Sequence, residues 1–440
     1  MSNIGSGEKI ELLKKVLKNI HEGKDVRELK EKFREILSKI SPFEITLIEQ
    51  ELVKEGIPIR DILKLCDLHV ELFREYLQSR ELEGIPRGHP LEILLRENEY
   101  ILKQGEALGL YANALRNTRT REQALTHINT LKKILSDLKR IRIHYRKVQM
   151  GLFPYLERRG IIAVPRVLWG REDQLLVKIR DLYSRISGDE KQAANMKDEV
   201  AGKLLEIARE ISELVFRENK ILYPAVWVMF TEGEWAAIKE VFDDLGYLVN
   251  VEDKWEPREK PIYPYEIEGP VVTEEQLEKI PGELRSLIKS EKLSPDKYMI
   301  RRPGDLDLGT GYLDPSEVKE IFNSLPLEIT YADSNDRVRF YTQSKLVKGF
   351  ARTKTILSRR IEYCHPPRLE GLVRKTVDEL KNGEKEYAEF WTRLAGRIIR
   401  VLIVPVKNSS GEYLGTLEIV EDLTEPIMNP GEVLNRIMIL

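Results

Sequence analysis

The sequence predicts a multidomain protein made of an N-terminal all-α domain, a four-helix bundle and a C-terminal α+β domain. Apolar residues recur every three or four positions through residues 8–78 and again through 84–248, which is the spacing of amphipathic helices. Beyond residue 311, short runs of alternating apolar and polar residues are bounded by turn-forming residues, which is typical of strands. A proline-rich stretch separates the two patterns and indicates a domain boundary.

The composition excludes several classes of protein. The 440 residues include 71 Lys and Arg against 73 Asp and Glu, so the net charge of −2 argues against a basic nucleic-acid clamp. Two cysteines exclude a disulfide framework and a cysteine-ligated zinc or iron–sulfur site within one chain. No run approaches the roughly 20 apolar residues that span a bilayer, and the N-terminus lacks an apolar signal core. We therefore expect a cytoplasmic protein without a membrane association. No nucleic-acid binding is evident, although the charge balance leaves room for a local basic patch.

The N-terminal helical domain is predicted over residues 1–80. Residues 41–44, Ser-Pro-Phe-Glu, form a helix start, with serine as the N-cap, proline at the first helical position and glutamate completing a capping box. Gly56 ends that helix, and Pro58 begins the next one.

Residues 84–248 are predicted to form the four-helix bundle, and a weak internal repeat supports this. Four amphipathic stretches lie at roughly 90–115, 121–158, 170–186 and 193–229. The second and fourth share one spacing of key residues: His144, Gln149, Phe153 and Pro154 against Leu214, Asn219, Tyr223 and Pro224. A duplicated helical hairpin closes naturally into a four-helix bundle. The basic run at 131–147 is interpreted as a solvated helix face, with nucleic-acid or partner binding as the alternative.

The remaining chain divides into three parts. Residues 249–310 form a proline-rich linker that lies on its neighbours and includes a short helix at roughly 273–290. Residues 311–425 form the α+β domain, with a β-hairpin around Ser-Asn-Asp-Arg at 334–337, a helical region and three further strands. We expect these strands to form a mixed sheet with one face covered by helices. Residues 426–440 form an apolar tail that packs on the body or on a partner.

Several strings in this order resemble one prokaryotic family. They are GHPLEILLREN at 88–98, LFPYLERRGI at 152–161, FRENKILYP at 216–224, LGTGYL at 308–313 and CHPP at 364–367. The family joins a helical domain of unknown function 438, a hemerythrin-like HHE four-helix bundle and a C-terminal PAS-like domain. The resemblance covers nearly the whole chain and implies that the bundle is hemerythrin-like and the α+β domain PAS-like.

The hemerythrin resemblance implies a di-iron centre held by histidines and bridging carboxylates, and this sequence departs from that pattern. Gln149 stands where the resemblance implies a carboxylate, and Leu214 stands where it implies a histidine. Asn219 stands at the matching carboxylate position of the fourth helix. A neutral amide bridges two cations poorly. The candidate metal ligands that remain are His89, His144, Glu172 and Glu218. We expect an eroded site without a cofactor, and one metal held by these four residues or an intact di-iron centre are the alternatives.

Residues at the expected ligand positions also have structural interpretations that need no metal. His144 is expected as a buried histidine paired with Glu97, Glu172 or Glu218. Gln149 and Asn219 are expected to form a neutral hydrogen-bonded pair.

In the PAS-like domain, Cys364 and His365 are the candidate cofactor-binding residues. Cys364 would act as a redox-sensing thiol with its pKa lowered at a helix N-terminus, and His365 as a haem ligand. The simpler interpretation is a loop-to-helix corner with a buried cysteine. The aromatic residues of the strands, including Trp391, are expected in the core.

No complete catalytic set is found, so we expect a non-catalytic sensor or regulatory protein that signals through protein contacts. Its partner would be another protein, or a second copy bound through the PAS-like domain, and a small-molecule ligand is compatible with the architecture. One alternative is an iron-binding hemerythrin-like protein that senses or binds oxygen, nitric oxide or peroxide. A second alternative is a PAS sensor that binds haem.

Overall fold

The computed structural model describes residues 25–37, 84–267, 295–344 and 352–437, with isolated positions in 12–19 and 52–57 and residues 82 and 350. The chain divides into two compact units, Met1–Tyr298 and Met299–Leu440. Helix α1 spans Val26–Leu37. The predicted helix start at 41–44 and the predicted helix at 273–290 lie outside the described residues.

The first unit contains the predicted four-helix bundle. The first bundle helix is α2, Pro90–Arg116, and the third is α6, Ala163–Gly188. The second comprises α3 (Arg121–Leu138), a 3₁₀ turn (Lys139–Ile141), α4 (Arg142–Lys147), a π-helical turn (Val148–Leu152) and α5 (Phe153–Arg158). After the short α7 (Glu190–Asn195), the fourth comprises α8 (Lys197–Arg217), a second π-helical turn (Glu218–Leu222) and α9 (Tyr223–Met229). Helix α10 follows over Glu232–Leu245.

The two π-helical turns occupy equivalent positions of the sequence repeat. In each, an amide five residues along donates back to a carbonyl: Phe153 to Val148, and Tyr223 to Glu218. The next residue is a proline, which has no N–H to continue the α-helical ladder. The duplication therefore extends to a backbone irregularity, and π-helical turns are frequent at functional sites.

The core of this unit is apolar and continuous between the bundle helices. Buried leucines and isoleucines line the inner faces of all four, and α2 lies directly against α8. Gly105 permits that close approach, because a Cβ there would lie 2.9 Å from Cγ2 of Ile211. Such packing leaves little room for movement inside the bundle.

The second unit is built on a five-stranded antiparallel sheet. The five strands are those that the sequence predicts, but the expectation of a mixed sheet is wrong, because every pair of neighbouring strands is antiparallel. A two-stranded ribbon, β1 (Leu306–Asp307) with β2 (Tyr312–Leu313), and helix α11 (Pro315–Ser324) precede it. The sheet has the order β4-β3-β7-β6-β5. Its strands are β3 (Glu328–Asp333), β4 (Val338–Tyr341), β5 (Ala388–Leu394), β6 (Arg397–Lys407) and β7 (Tyr413–Asp422).

Helix α12, Pro367–Lys381, covers one face of this sheet. Its Val377 packs with Ala332 of β3 and with Ile361. The expectation that Trp391 lies in the core is wrong, since its side chain is 51% exposed. The tail forms two short helices, α13 (Thr424–Met428) and α14 (Pro430–Asn435), whose apolar side chains are largely exposed.

Gly415 is a point where the sheet accepts no side chain. It pairs with Asp333 across β3 and β7, and a Cβ there would overlap the carbonyl oxygen of Ala332 and lie 2.7 Å from the ring of Tyr331. We expect Gly415→Ala to destabilise the second unit by about 1–3 kcal/mol, the usual cost of overpacking. Hydrogen exchange of peptides from β7 measures the change.

The matched control is Gly371→Ala, which adds the same atom to a helix surface with nothing within 4 Å. This variant is expected to be neutral or slightly stabilising. Equal effects of the two variants would contradict the steric argument.

Candidate functional site

A buried cluster of polar side chains lies in the middle of the bundle, and we call it the polar core. The first bundle helix contributes two of its residues, the second four, the third one and the fourth three. The members are Glu97, Asn98, His144, Tyr145, Lys147, Gln149, Glu172, Glu218, Asn219 and Tyr223. Such a cluster inside an apolar bundle is stable only if its groups satisfy one another.

His144 is at the centre of the polar core and is fully buried. Its Nδ1 lies 2.8 Å from Oε2 of Glu97, and its Nε2 lies 3.0 Å from Oε2 of Glu218. This is the pairing of a buried histidine with carboxylates that the sequence analysis expects. Because carboxylate oxygens only accept hydrogen bonds, both ring nitrogens donate when the ring is protonated.

Glu97 has three hydrogen-bonding partners. Besides His144, it forms a buried ion pair with Lys147 through Oε1. The same oxygen accepts the backbone N–H of Leu248 at 2.8 Å. Lys147 is fully buried, so the interpretation of the whole run 131–147 as a solvated face is wrong at this position.

Gln149 and Asn219 do not form the expected hydrogen bond with each other. Gln149 binds a carboxylate, and Asn219 binds another amide. Gln149 donates from Nε2 to Oε2 of Glu172 at 2.6 Å. Asn98 donates from Nδ2 to Oδ1 of Asn219 at 2.8 Å. Gln149 and Asn219 therefore use partners on different helices, because their π-helical turns face different neighbours.

Tyr223 closes the network on the fourth bundle helix. Its hydroxyl donates to Oε2 of Glu218 at 3.1 Å and accepts from Nδ2 of Asn98 at 3.2 Å. It follows the second π-helical turn, whose first residue is Glu218. The backbone irregularity thus brings both side chains to one point beside His144.

The electrostatics of the polar core are set by burial and by close carboxylates. Burial alone would lower the pKa of His144, but Glu218 and Glu97 outweigh it and raise the pKa to about 9. Burial would raise the pKa of Glu97, but His144 and Lys147 outweigh it and lower the pKa. Burial, together with the charge of Glu218, raises the pKa of Glu172 to about 8.

The basic groups of the polar core lie directly against its carboxylates. The ring of His144 contacts Glu97 and Glu218, and the side chain of Lys147 contacts Glu97. Glu172 retains its proton because its pKa lies above 7. Buried charges are tolerated when they are paired in this way.

Four buried oxygen atoms of the polar core have no hydrogen-bond partner. They are Oδ1 of Asn98, the hydroxyl of Tyr145, Oε1 of Glu172 and Oε1 of Glu218. An unsatisfied buried polar atom costs stability unless a water or a cation fills the gap. The unpaired oxygens are therefore the one feature of this cluster that suits a bound cation.

His89 is not part of the polar core, and its contacts are those of a helix cap and a packed aromatic ring. It is the N-cap of α2, and its Nδ1 accepts the N–H of Leu91 at 3.1 Å. Its ring makes edge contacts with three tryptophans, with centroids 5.2 Å from Trp227, 4.8 Å from Trp235 and 4.5 Å from Trp255. Burial lowers the pKa of His89 to about 4.

The residues present do not fit the di-iron centre that the hemerythrin resemblance implies. His144, Glu172 and Glu218 come together, but His89 does not join them. Both nitrogens of His144 face carboxylates, whereas a ligating histidine presents a neutral nitrogen to the metal. Within the described part of the chain, no group of three or more His, Cys, Asp or Glu is arranged to hold a metal ion.

The two candidate residues of the second unit lie at a corner that leads into α12. Cys364 ends a 3₁₀ turn and is exposed, so the expectation of a buried cysteine is wrong. Partial burial raises the pKa of the Cys364 thiol, which is opposite to the expected lowering. The Nδ1 of His365 lies 3.0 Å from the carbonyl oxygen of Ile361.

The sequence analysis missed a polar cluster on the sheet face that α12 covers. The guanidinium of Arg352 pairs with Glu328, donates to Oγ1 of Thr330 at 2.8 Å and donates to Oε1 of Glu418 at 2.9 Å. Glu328 and Thr330 alternate with Ile329 and share the face of Ala332, which packs under α12. Polar residues at the inward positions of a strand were the available signal.

Three regions of the chain match known protein families. Residues 13–79 match a family of unknown function (DUF438), residues 89–226 the hemerythrin HHE cation-binding domain, and residues 318–424 a PAS domain. These matches have the order that the sequence resemblance predicts. The chain therefore combines the three domains of that family, with a hemerythrin-type helical bundle and a PAS fold in its C-terminal part.

Similar solved structures are bacterial domains. The C-terminal domain of a Streptococcus mutans protein is 30% identical, with a TM-score of 0.27, covering 30% of this chain and 99% of that one. The PAS domain of a Colwellia psychrerythraea protein is 13% identical, with a TM-score of 0.21, covering 25% and 97%. The PAS domain of BvgS from Bordetella pertussis is 16% identical, with a TM-score of 0.18, covering 27% and 94%. Among curated proteins, none matches the chain.

None of the described helices has both the length and the apolar character needed to cross a bilayer.

Proposed function

We propose that this chain, which joins the three domains of its family, is a non-catalytic sensor or regulatory protein whose bundle has replaced a di-iron centre with a self-neutralised polar core. The hemerythrin-type and PAS domains support a sensor or regulatory role. The PAS-like domain receives or relays the signal, and the output is a contact with a protein partner or with a second copy. The cytoplasmic location expected from the sequence stays a prediction.

The observation that carries this proposal is the use of Lys147 and His144 as the cations of the polar core. In a metal centre, the bound ions balance the charge of the carboxylates that surround them. Here an ammonium and an imidazolium contact Glu97 and Glu218 directly. On this proposal, His144 and Lys147 balance the carboxylates without a metal, and Glu172, whose pKa burial raises to about 8, keeps its proton.

Exposed apolar side chains of the second unit support an output through protein contacts. Trp391 on β5 and Leu414 on β7 are 51% and 41% exposed, and Met428 and Leu434 of the tail helices are 63% and 65% exposed. Surface residues of this kind are common at interfaces.

A second candidate function is iron binding with sensing of oxygen, nitric oxide or peroxide. It is favoured by the unpaired oxygens of Glu172, Glu218 and Tyr145, which lie in the same bundle. This candidate requires the ion pairs of His144 to open before the ring can act as a ligand.

Metal analysis and near-ultraviolet and visible absorption of the purified full chain test the proposal. After anaerobic reconstitution with ferrous iron, removal of unbound iron and exposure to air as the oxidant, we expect far less than one iron per chain and no oxo-bridge or Soret bands. About two irons per chain would overturn the proposal in favour of the hemerythrin-type alternative, and a Soret band would move the site to the PAS-like domain.

Two histidine variants locate any metal that is found. His144→Ala removes the central residue of the polar core, whereas His127→Ala removes a histidine whose ring lies 6.1 Å from Tyr111, outside that core. Iron that is lost in the first variant and retained in the second would establish the iron-binding candidate. Equal metal content in both variants would show that the iron is not held by His144.

A further inference from the structure

Residues 246–267 follow α10 and lie along the bundle, and we call this segment the strap. It has no long helix or strand of its own, yet it is held along its length. The backbone N–H of Ile262 donates to the carbonyl oxygen of Gly233 at 2.9 Å, and the hydroxyl of Tyr155 donates to the carbonyl oxygen of Ile262 at 2.8 Å. At its end, the guanidinium of Arg158 donates to the carbonyl oxygen of Ile267.

The first residues of the strap contact the polar core itself. The buried N–H of Leu248 donates to Oε1 of Glu97 at 2.8 Å. The ring of Tyr247 lies against the ammonium of Lys147, 4.8 Å from the centroid. Oε1 of Glu97 therefore accepts from two donors, the side chain of Lys147 in the polar core and the backbone N–H of Leu248 in the strap.

The next residues of the strap pack against the start of the first bundle helix. Arg96 donates to the carbonyl oxygen of Asn250 at 2.6 Å, and the ring of Trp255 lies against His89. A Cβ at Gly88 would overlap the carbonyl oxygen of Asp253 and lie 2.9 Å from the nitrogen of Trp255. This close fit means that the strap has one docked position.

We propose that the strap is a conformational readout of the polar core, docked while Glu97 is paired with Lys147 and His144 and released when that pairing is broken. This inference rests on the proposed function, since it gives the sensor bundle a mechanical output. In sequence, the strap follows the bundle and precedes the C-terminal unit.

Glu97 couples the polar core to the strap because both of its carboxylate oxygens accept hydrogen bonds. Oε2 faces His144, and Oε1 faces Lys147 and Leu248, so all of its neighbours are donors. An amide in place of the carboxylate has one oxygen and one NH₂ group, and its NH₂ must face a donor on one side. Any change that engages Glu97 elsewhere likewise removes the acceptor from Leu248.

Hydrogen exchange of the full chain, followed in peptides from residues 246–252, tests the inference. We expect Glu97→Gln to accelerate exchange of these amides by about tenfold or more, since the local opening becomes easier. If Glu97→Ala folds, we expect it to accelerate exchange of these amides more than Glu97→Gln does. If Glu97→Ala does not fold, the result for Glu97→Gln alone decides the test. Unchanged exchange in a folded Glu97→Gln variant would overturn the inference.

The matched control is Glu234→Gln, which breaks another buried carboxylate pair of the same bundle. Oε1 of Glu234 accepts from the guanidinium of Arg159 at 2.6 Å, at the opposite end of α10 from the strap start. We expect exchange of residues 246–252 to be unchanged in this variant. Equal acceleration in both variants would show general loosening of the bundle and refute a specific readout.

Metal content of the same samples separates the two proposals. A chain that carries iron but shows the strap response would refute the metal-free core and retain the coupling. A metal-free chain without the response would retain the proposed function and refute the coupling.

Discussion

Glu97→Ala is expected to destabilise the bundle by about 3–5 kcal/mol, the usual cost of removing one partner from a buried ion pair. The variant leaves the ammonium of Lys147 and the Nδ1 of His144 facing an apolar space, and it removes the acceptor of the Leu248 amide. All three groups then lack the partner that offsets their desolvation. Urea denaturation followed by tryptophan fluorescence measures the loss, because three tryptophans surround His89.

The double variant Glu97→Gln with Lys147→Met is the control for this prediction. It removes both charges of the pair and keeps a hydrogen-bonding side chain at residue 97, so it is expected to cost less than Glu97→Ala alone. Both variants are made in a Trp391→Phe background, so that the fluorescence reports on the first unit. A double variant less stable than Glu97→Ala would show that the ion pair is not the dominant interaction.

The architecture followed from the sequence because its signals are local and repeated. Helical periodicity and the repeat of Phe153-Pro154 at Tyr223-Pro224 predict a duplicated hairpin, and the structure adds the paired π-helical turns. The alternating runs beyond residue 311 predict the five strands, but not their order in the sheet. Strand order depends on contacts between distant residues, which a periodic pattern does not encode.

The candidate site was less predictable, because its geometry depends on which way side chains turn. His89 occupies a position where the resemblance implies a ligand, yet its Nδ1 caps α2 and its ring packs among tryptophans. Lys147 carries half of the positive charge of the polar core, but in sequence it is one of many basic residues in a run. Because Lys147 and His144 are three positions apart, helical spacing places them on neighbouring parts of one helix face. The spacing does not show that both side chains are buried.

The same difficulty applies in the second unit. Arg352 lies between the predicted β-hairpin and the predicted helical string at 365–383, and nothing in its local sequence pairs it with Glu328 and Glu418. The inward-facing Thr330 and Glu328 did carry a signal, because polar residues at buried strand positions need partners.

Restoring the expected ligands is the second prediction with a large effect. The triple variant Gln149→Glu, Leu214→His and Asn219→Glu replaces the three departures from the family pattern. Without metal it adds buried or half-buried carboxylates to a core that is already balanced, so we expect a loss of several kcal/mol. With ferrous iron we expect the variant to bind metal and to recover stability, because binding to the folded state alone stabilises it.

Gln149→Glu alone is the discriminating comparison for that result. It adds a carboxylate beside Glu172 without adding a histidine, so it should lose stability and gain no iron. Metal content and the thermal midpoint with and without ferrous iron are measured for both variants and for the unchanged chain. Iron bound equally by all three would mean that the unpaired oxygens of Glu172 and Glu218 already form a metal site, because the substitutions would then add nothing to it.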